Sequence, residues 1–588
     1  MISLRRIKEN KWLIILMFAA IGSILGWIGY YKMYHDDGWT IFDITYVVMR
    51  LYLINLNEYG VPIPWELQVG RFILPLVSSY AVVLIVLKLF SEKIKLMKIK
   101  RWRNHVVICG LGDKGYLLAR DLVKKNKVVV IEKDPNNLKI EPCIEQGITI
   151  LHGDATQKFT LERANVVKAK YLFAITGSDV TNTEIALKQD KVVSRSTKKS
   201  RCTCYVHMKN RKLCDLIEKN YKRSMKSNKE LSLKYFNIFD YSARLIFDKF
   251  PPEMFGSKED DEPYHILVFG FGSLGESLVI QALKVGHYPN GKELKITIID
   301  ENAKGRSIGF YDRYPEVVNI DNIKLEFMDI KVDESGFFNI DSVLPVISSE
   351  PTIAYLCYED DVNNITTAFQ LNDKDLSSNL PVLINILEKV DFASILKKEM
   401  DSGPGSSRFH IFRTIRDVCS ERIIVRNELD LMAQVIHREY LKKRKEEGTF
   451  DPKKPSHRDW ERLPEVYKDA NRQQSDHIDV KLRAIGCRMK DEIGPGALKK
   501  FTEEEVELLG EMEHYRWNAE KYLNDWTLGD DRKKLQSPYL VSWEELSEDI
   551  REYDREAVRN IPSILKSAGY GIYRIKSSKG RKKHRSRL

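Results

Sequence analysis

Gly110, Gly112 and Gly115 stand at G-x-G-x-x-G spacing in the stretch HVVICGLGDKGYLLARDLVKKNKVVVIEKD, and Glu132 follows 22 positions after Gly110. Apolar strand, glycine turn, helix, strand and acid is the order a dinucleotide site needs. A phosphate can rest on the helix N-terminus while the acid accepts from ribose hydroxyls. The same order recurs from Tyr264 in YHILVFGFGSLGESLVIQALKVG, where Gly270, Gly272 and Gly275 repeat the turn and Asp300 repeats the acid. In this second copy an insertion, HYPNGKE, delays the acid to 30 positions after Gly270. The second copy is therefore either a further nucleotide site or an unliganded structural partner.

The elements that must hold these residues are legible beside them. ITILHGDAT, AKYLFAITGSDVTNTEIAL and TCYVHM continue the first copy, and LKITIID, IKLEFMDI, PTIAYLCYEDDVNNITTAF and PVLINI continue the second. Strands alternating with helical stretches predict two doubly wound α/β units in tandem. A dehydrogenase on such a fold needs a substrate domain and a proton donor near the nicotinamide. No such constellation stands in the sequence, so the chain is read as non-enzymatic. Cys202-x-Cys204 has no second pair, and the alternation in RCTCYVHM reads as a buried strand, so no metal is expected.

Ahead of the first copy lie two apolar runs. Trp12 to Tyr31 is uncharged over 20 residues, long enough to span about 30 Å of hydrocarbon as a helix. Its length and aromatic end exclude a cleaved leader. Phe72 to Leu87 is a second uncharged run, of 16 residues. Arg5, Arg6, Lys8 and Lys11 precede the first run, and Lys88, Lys93, Lys95, Lys98, Lys100, Arg101 and Arg103 follow the second, which places both chain ends in the cytoplasm of a multi-pass protein of the cell's inner (plasma) membrane. The intervening acids Asp36, Asp37, Asp43, Glu58 and Glu66 face outside, and all eight cysteines fall in the reducing compartment. A mean hydropathy of −0.35 leaves most of the chain soluble, and the +11 net charge clusters beside the apolar runs and at the C-terminus.

Between the runs, WTIFDITYVVMRLYLIN (Trp39–Asn55) reads as a pore helix and LNEYGVPIPWELQVGRF as a pore mouth. Glu58, Tyr59 and Gly60 take the filter position. Potassium filters aim backbone carbonyls from a T-x-G-Y-G loop, and here Leu56 and Glu58 replace the threonine and first glycine, so that geometry is not available. Four copies of Glu58 would form a carboxylate ring of the kind that selects cations; the alternative is a solvated loop acid. Arg50 could pair with Glu58 and blunt such a ring.

Both α/β copies resemble the regulatory domains of potassium conductance (RCK, or TrkA-N) proteins. The first does so over about 120 residues, through its glycine turn, Glu132, Gly153–Ala155 (GDA) and Thr176–Asn182 (TGSDVTN). The resemblance implies domains that bind NAD or an adenine nucleotide as regulatory ligand, or pack as a ring that pulls on pore helices, with Gly110, Gly112, Gly115, Glu132, Asp154 and Thr176 lining the nucleotide cleft of the first copy. From about Asp401 the periodicity turns helical, and roughly Glu428 to Gly569 resembles a single ryanodine-receptor repeat (RyR) domain. Trp460, Leu463, Pro464, Asn471, Arg472, His477, Lys481, Leu482, Glu513, His514, Arg516, Trp517, Trp526, Asp531, Pro538, Leu540, Trp543, Asp554, Ile561 and Pro562 carry that resemblance. Asn471, Arg472, His477, Lys481, His514, Arg516 and Trp517 would suit an anionic, ring-bearing ligand such as a cyclic or other nucleotide. Alternatively the polar groups cap helices or pair with Glu513 and Asp476, and the tryptophans anchor a core.

The expected organisation is a membrane α two-helix pore module (1–100, spans about 12–31 and 72–90, pore loop 39–65), tandem α/β Rossmann-type RCK domains (101–255 and 256–400), a helical linker (401–427), an all-α RyR-type domain (428–570) and a basic tail (571–588). The tail KSSKGRKKHRSRL carries seven Lys/Arg and no acid, which suits anionic lipid; no specific nucleic acid is expected, since no basic face with interleaved aromatics appears elsewhere. Two spans flanking a re-entrant loop, followed by tandem nucleotide folds, imply a ligand-gated homotetrameric cation channel. The combination with an RyR domain suggests a stress or antiviral effector. A non-conducting, membrane-anchored nucleotide sensor regulating another transporter is the alternative.

Overall fold

The computed structural model describes residues 11–53, 62–194, 202–210, 213–214, 232–256, 263–332, 338–342, 349–373, 380–387 and 408–575, together with 345 and 347. It divides into two units, Met1–Trp102 and Arg103–Leu588.

The first unit holds helices α1 (Lys11–Tyr34), α2 (Ile41–Leu51) and α3 (Trp65–Arg101). Two segments, Leu13–Asp37 and Trp65–Val86, are long and apolar enough to cross a membrane, and both are mostly exposed within the chain. The helices meet through small residues. A Cβ on Gly29 would lie 2.5 Å from Leu67 Cβ, and one on Gly70 would lie 3.1 Å from the Gly22 carbonyl and from Gly26 Cα, so the α1 and α3 backbones approach at glycines. α2 starts in a Thr40/Asp43 capping box and buries Ile44, Val47, Val48 and Leu51 against Tyr30, Leu67 and Leu74. It is shorter than the expected pore helix, and α3 is longer than the expected span. Its 37 residues, about 55 Å at 1.5 Å each, run unbroken through Pro75 and the basic stretch. Glu66 is buried and ion-paired with Lys32. Glu58, Tyr59 and Gly60 lie outside the described residues.

In the second unit, strands β1 (Val106–Cys109), β2 (Val128–Glu132), β3 (Thr149–His152), β4 (Tyr171–Ala174), β5 (Thr203–His207) and β6 (Ser232–Phe236) form a parallel sheet in the order 3-2-1-4-5-6. Helices α4 (Asp113–Leu122), α5 (Ile140–Glu145), α6 (Lys158–Arg163) and α7 (Asp179–Ser194) connect them, and α8 (Ile238–Lys249) follows β6. β1 and β2 are buried at every position, which is why they read as unbroken Val/Ile runs rather than alternating ones. The second copy repeats the topology with β7 (Tyr264–Phe269), α9 (Ser273–Val285), β8 (Leu294–Asp300), α10 (Ala303–Arg313), β9 (Ile323–Asp329), β10 (Ile353–Leu356), α11 (Asp361–Asp373), β11 (Val382–Asn385) and β12 (Phe409–Phe412), followed by α12 (Thr414–Val418). The copies exchange helices: α8 of the first packs on α9 of the second, and α12 of the second packs on α4 of the first. Ser277 Oγ donates to Asp240 at 2.8 Å in the first contact, and the Glu421 N–H donates to Asp121 at 2.9 Å near the second.

The C-terminal region comprises α13 (Leu431–Glu446), α14 (Glu465–Asp476), α15 (Ile478–Ala484), β13 (Cys487–Lys490), α16 (Glu503–Tyr522), α17 (Glu548–Arg559), α18 (Ile561–Ser567) and β14 (Gly571–Arg574). The all-α expectation is corrected here: β13 and β14 pair antiparallel, so the domain closes with residues first assigned to the tail. A single apolar cluster runs from β7, β8 and α9 into α16 and α18, so this region docks on the second copy of its own chain.

Candidate functional site

In open α/β sheets the ligand crevice lies outside the carboxyl ends of the strands, where strand order reverses. Here that is the end of β1 beside β4. Gly110 has φ +104° and faces Thr176, so only glycine turns the chain there without strain. A Cβ on Gly115 would lie 2.1 Å from the Gly110 carbonyl oxygen, which explains the third glycine: it lets α4 sit directly on the turn. Gly112 has nothing within 4 Å of its Cβ position and N-caps α4 without a side-chain cap, so no capping side chain takes the first-turn N–H groups. The structure thus brings Gly110, Gly112, Gly115 and Thr176 together at one helix N-terminus.

The two acids do something more specific than wait for a ribose. Glu132 is buried and accepts from the N–H of Leu111 and of Asp134, both at 2.8 Å, so its carboxylate braces the glycine turn. Asp154 lies at the far edge, where it accepts from Thr156 N–H at 2.9 Å, Thr156 Oγ1 at 2.7 Å and Lys133 Nζ at 3.0 Å. The Thr156 contacts, with Lys133, lower its carboxyl to about 2. Sequence reasoning missed two supports. Asn182 Oδ1 accepts from Thr176 N–H at 2.8 Å and its amide donates to the His207 carbonyl at 2.9 Å, which joins the ends of β4 and β5. Asn137 donates to the Leu111 carbonyl at 3.1 Å. The signal for Asn182 was available, because Asn364 recurs at the matching place in the second copy.

The second copy reproduces the brace. Asp300 accepts from Phe271 N–H at 2.7 Å and Asn302 N–H at 3.1 Å, and a Cβ on Gly275 would lie 2.0 Å from the Gly270 carbonyl oxygen. Gly270 again has positive φ, +89°. Gly272 differs from Gly112: its Cβ position lies 2.9 Å from Glu359 Cγ.

The polar residues of the C-terminal region are engaged by protein. Lys481 Nζ donates to Glu513 at 2.6 Å and to His477 Nδ1 at 2.9 Å, and His477 Nε2 donates to the His287 carbonyl at 3.0 Å. An ammonium has no acceptor, so Nδ1 is the lone-pair nitrogen and the imidazole is neutral. Burial, with Lys481 beside it, holds His477 well below its ordinary pKa. Arg516 donates to Glu513 at 2.9 and 3.1 Å and to Glu520 at 3.2 Å. His514 donates to the Val541 carbonyl at 2.8 Å and faces Asp554 at 3.3 Å, Asn471 donates to the Tyr467 carbonyl at 2.6 Å, and Trp517 packs on the core. His477, Lys481, His514 and Arg516 are buried, so the ligand reading is corrected to the alternative the sequence left open, an internal network in which Lys481 and Arg516 pair with Glu513. Arg472 borders a large cavity, and there it is held by Asp430 at 2.8 Å and by Glu465. That cavity, of about 450 Å³, lies where α8, α9 and α14 meet. Arg244 of α8 ties the junction by donating to Asp430 at 2.8 Å, Asp476 at 2.7 Å and the Leu429 carbonyl at 2.8 Å. Among the described residues no cluster of three or more His, Cys, Asp or Glu forms a metal site.

Fold and turn define a tandem α/β protein with a dinucleotide-type crevice. Comparison with known proteins agrees in kind: residues 106–219 match the TrkA-N domain and residues 496–574 match the RyR domain. A Methanothermus fervidus protein of uncharacterised function is 36% identical over 104 residues, which is 17% of this chain and 16% of that protein. Potassium channel protein 1 of Methanocaldococcus jannaschii is 32% identical over 106 residues, 18% of this chain and 32% of the relative. The chain thus spans a third or less of the length of these relatives. The GsuK channel bound to NAD superposes at a TM-score of 0.38 and 11% identity, over 73% of this chain and 85% of that one.

Proposed function

We propose that the chain is the subunit of a ligand-gated, homotetrameric cation channel of the RCK class, regulated by a nucleotide at the first glycine turn. The observation that carries this reading is the order of parts: two apolar helices enclosing a short capped helix, then an open dinucleotide-type crevice preceded by an unbroken helix, Trp65–Arg101. The relative named as a potassium channel supports it. A ligand that binds one arrangement of a cytosolic ring more tightly shifts the equilibrium by its differential affinity, and α3 would carry that shift to the pore. Glu58 in place of a filter glycine makes the pathway weakly cation-selective rather than potassium-selective. The same departure supports a second reading, a non-conducting anchored sensor for another transporter. The stress or antiviral role belongs to the channel reading and rests on domain combination. Purified protein in planar bilayers separates the two: single-channel currents are expected, and a silent membrane with every nucleotide applied would leave only the sensor.

A further inference from the structure

The two copies differ at one position that governs access to the turn. Asn182 and Asn364 fix the correspondence: they accept from Thr176 N–H at 2.8 Å and Tyr358 N–H at 2.9 Å, and donate to the His207 carbonyl at 2.9 Å and the Asn385 carbonyl at 3.0 Å. One residue after Thr176 stands Gly177; one residue after Tyr358 stands Glu359. A Cβ on Gly112 or on Gly177 meets nothing within 4 Å, so the N-terminus of α4 is open. At α9, Glu359 Oε1 accepts from Ser273 N–H and Ser273 Oγ, both at 3.2 Å, and its Cγ and Oε1 lie 2.9 and 3.0 Å from the Cβ position of Gly272. The chain's own carboxylate therefore occupies the place where helix dipole and free N–H groups attract a phosphate.

Burial alone would raise the Glu359 carboxyl, but the Ser273 N–H, Lys209 and Arg306 overcome it and hold the group below its ordinary value, so it is ionised at neutral pH. Room is not what the second copy lacks. The cavity of about 450 Å³ opens at Phe271, Gly272 and Ser273, and Lys209 and Arg306 also line it. Brace and turn are intact, with Asp300 on the Phe271 N–H and Arg306 donating to the Phe271 carbonyl at 2.9 Å, as Asn137 donates to that of Leu111. What differs is the Glu359 carboxylate on the first-turn N–H of α9, where the first copy has Gly177 and its first-turn acid, Asp113, is ion-paired with Lys139.

We propose that Glu359 is a built-in substitute for phosphate that keeps the second glycine turn unliganded, so that each chain takes one nucleotide, at the first copy. This deepens the reading of the α/β folds as nucleotide-regulated and rests on it. The test is a reciprocal exchange in the full-length protein, with calorimetric titration of NAD and of ADP. Wild type binds one per chain, Glu359→Gly binds two, and Gly177→Glu binds none. Gly177 has no left-handed dihedral and no neighbour at its Cβ, so the glutamate is accommodated; an unchanged melting temperature verifies this. Two nucleotides in wild type, one in Glu359→Gly, or one retained in folded Gly177→Glu would each overturn the inference while leaving nucleotide regulation standing. Binding of neither nucleotide by wild type or either variant would defeat the nucleotide reading itself, and the inference with it.

Discussion

Glu513 offers the sharpest energetic test of the C-terminal region. Its side chain is 5% exposed and lies between Lys481 at 1% and Arg516 at 4%. Glu513→Gln keeps the shape and removes the charge both cations share. Burial pushes the Glu513 carboxyl up, but Arg516 and Lys481 overcome it and bring the group from its ordinary 4.5 to about 2. At roughly 1.4 kcal/mol per pH unit that lowering is worth about 3 kcal/mol, the low end of the roughly 3–5 kcal/mol lost when one side of a buried pair is removed. The sign follows from the depressed value: the stabilisation is fully present above pH 4.5 and is lost as pH falls toward 2. Hydrogen exchange along α16 in the full-length protein measures it. Glu513→Gln should exchange on the order of 100-fold faster at neutral pH, the gap should shrink below pH 4.5, and adding Lys481→Met should restore part of the protection. A loss under about 1 kcal/mol, or a gap indifferent to pH, would refute the ion network as a structural element, since a buried pair costs several times that to break.

Other outcomes follow from the same geometry. Arg244→Met removes the guanidinium shared by Asp430 and Asp476 and should destabilise the junction of α8 with α14 by about 3 kcal/mol, read as faster exchange in residues 428–430 and α14. Gly115→Ala sets a methyl 2.1 Å from the Gly110 carbonyl oxygen, a backbone atom that cannot swing aside; it should cost about 1–3 kcal/mol and weaken NAD or ADP binding at least ~10-fold in calorimetry. Glu58→Gln should reduce cation over anion preference, and unchanged reversal potentials would reject the carboxylate ring.

What the sequence made legible was local. The glycine turns, their acids and the alternation of strands with helices are written in short windows, because a buried parallel strand must be continuously apolar and a tight turn must be glycine. The same locality hid the rest. Lys481 and Arg516 read either as ligand donors or as partners of Glu513, because residue type does not say what they face; the structure pairs both with Glu513, which stands 32 positions from Lys481. Arg244 meets Asp476 across 232 positions, and β13 pairs with β14 across a whole domain, so neither contact leaves a pattern in any window. Glu132 read as a ribose acceptor, although the carboxylate bonds the turn beside it. Glu359 was visible as a letter in CYEDD, but its role needed the coordinates, which place it on Ser273.

On the channel reading, nucleotide binding at the first glycine turn controls a cation pathway through the α1–α3 unit. Single-channel recording from purified protein in planar bilayers, titrating NAD and then ADP on the cytosolic side, tests it most directly. Cation currents are expected whose open probability changes saturably with at least one of these nucleotides and no longer responds in Gly177→Glu. Currents of constant open probability across both titrations, or none at all, would contradict it.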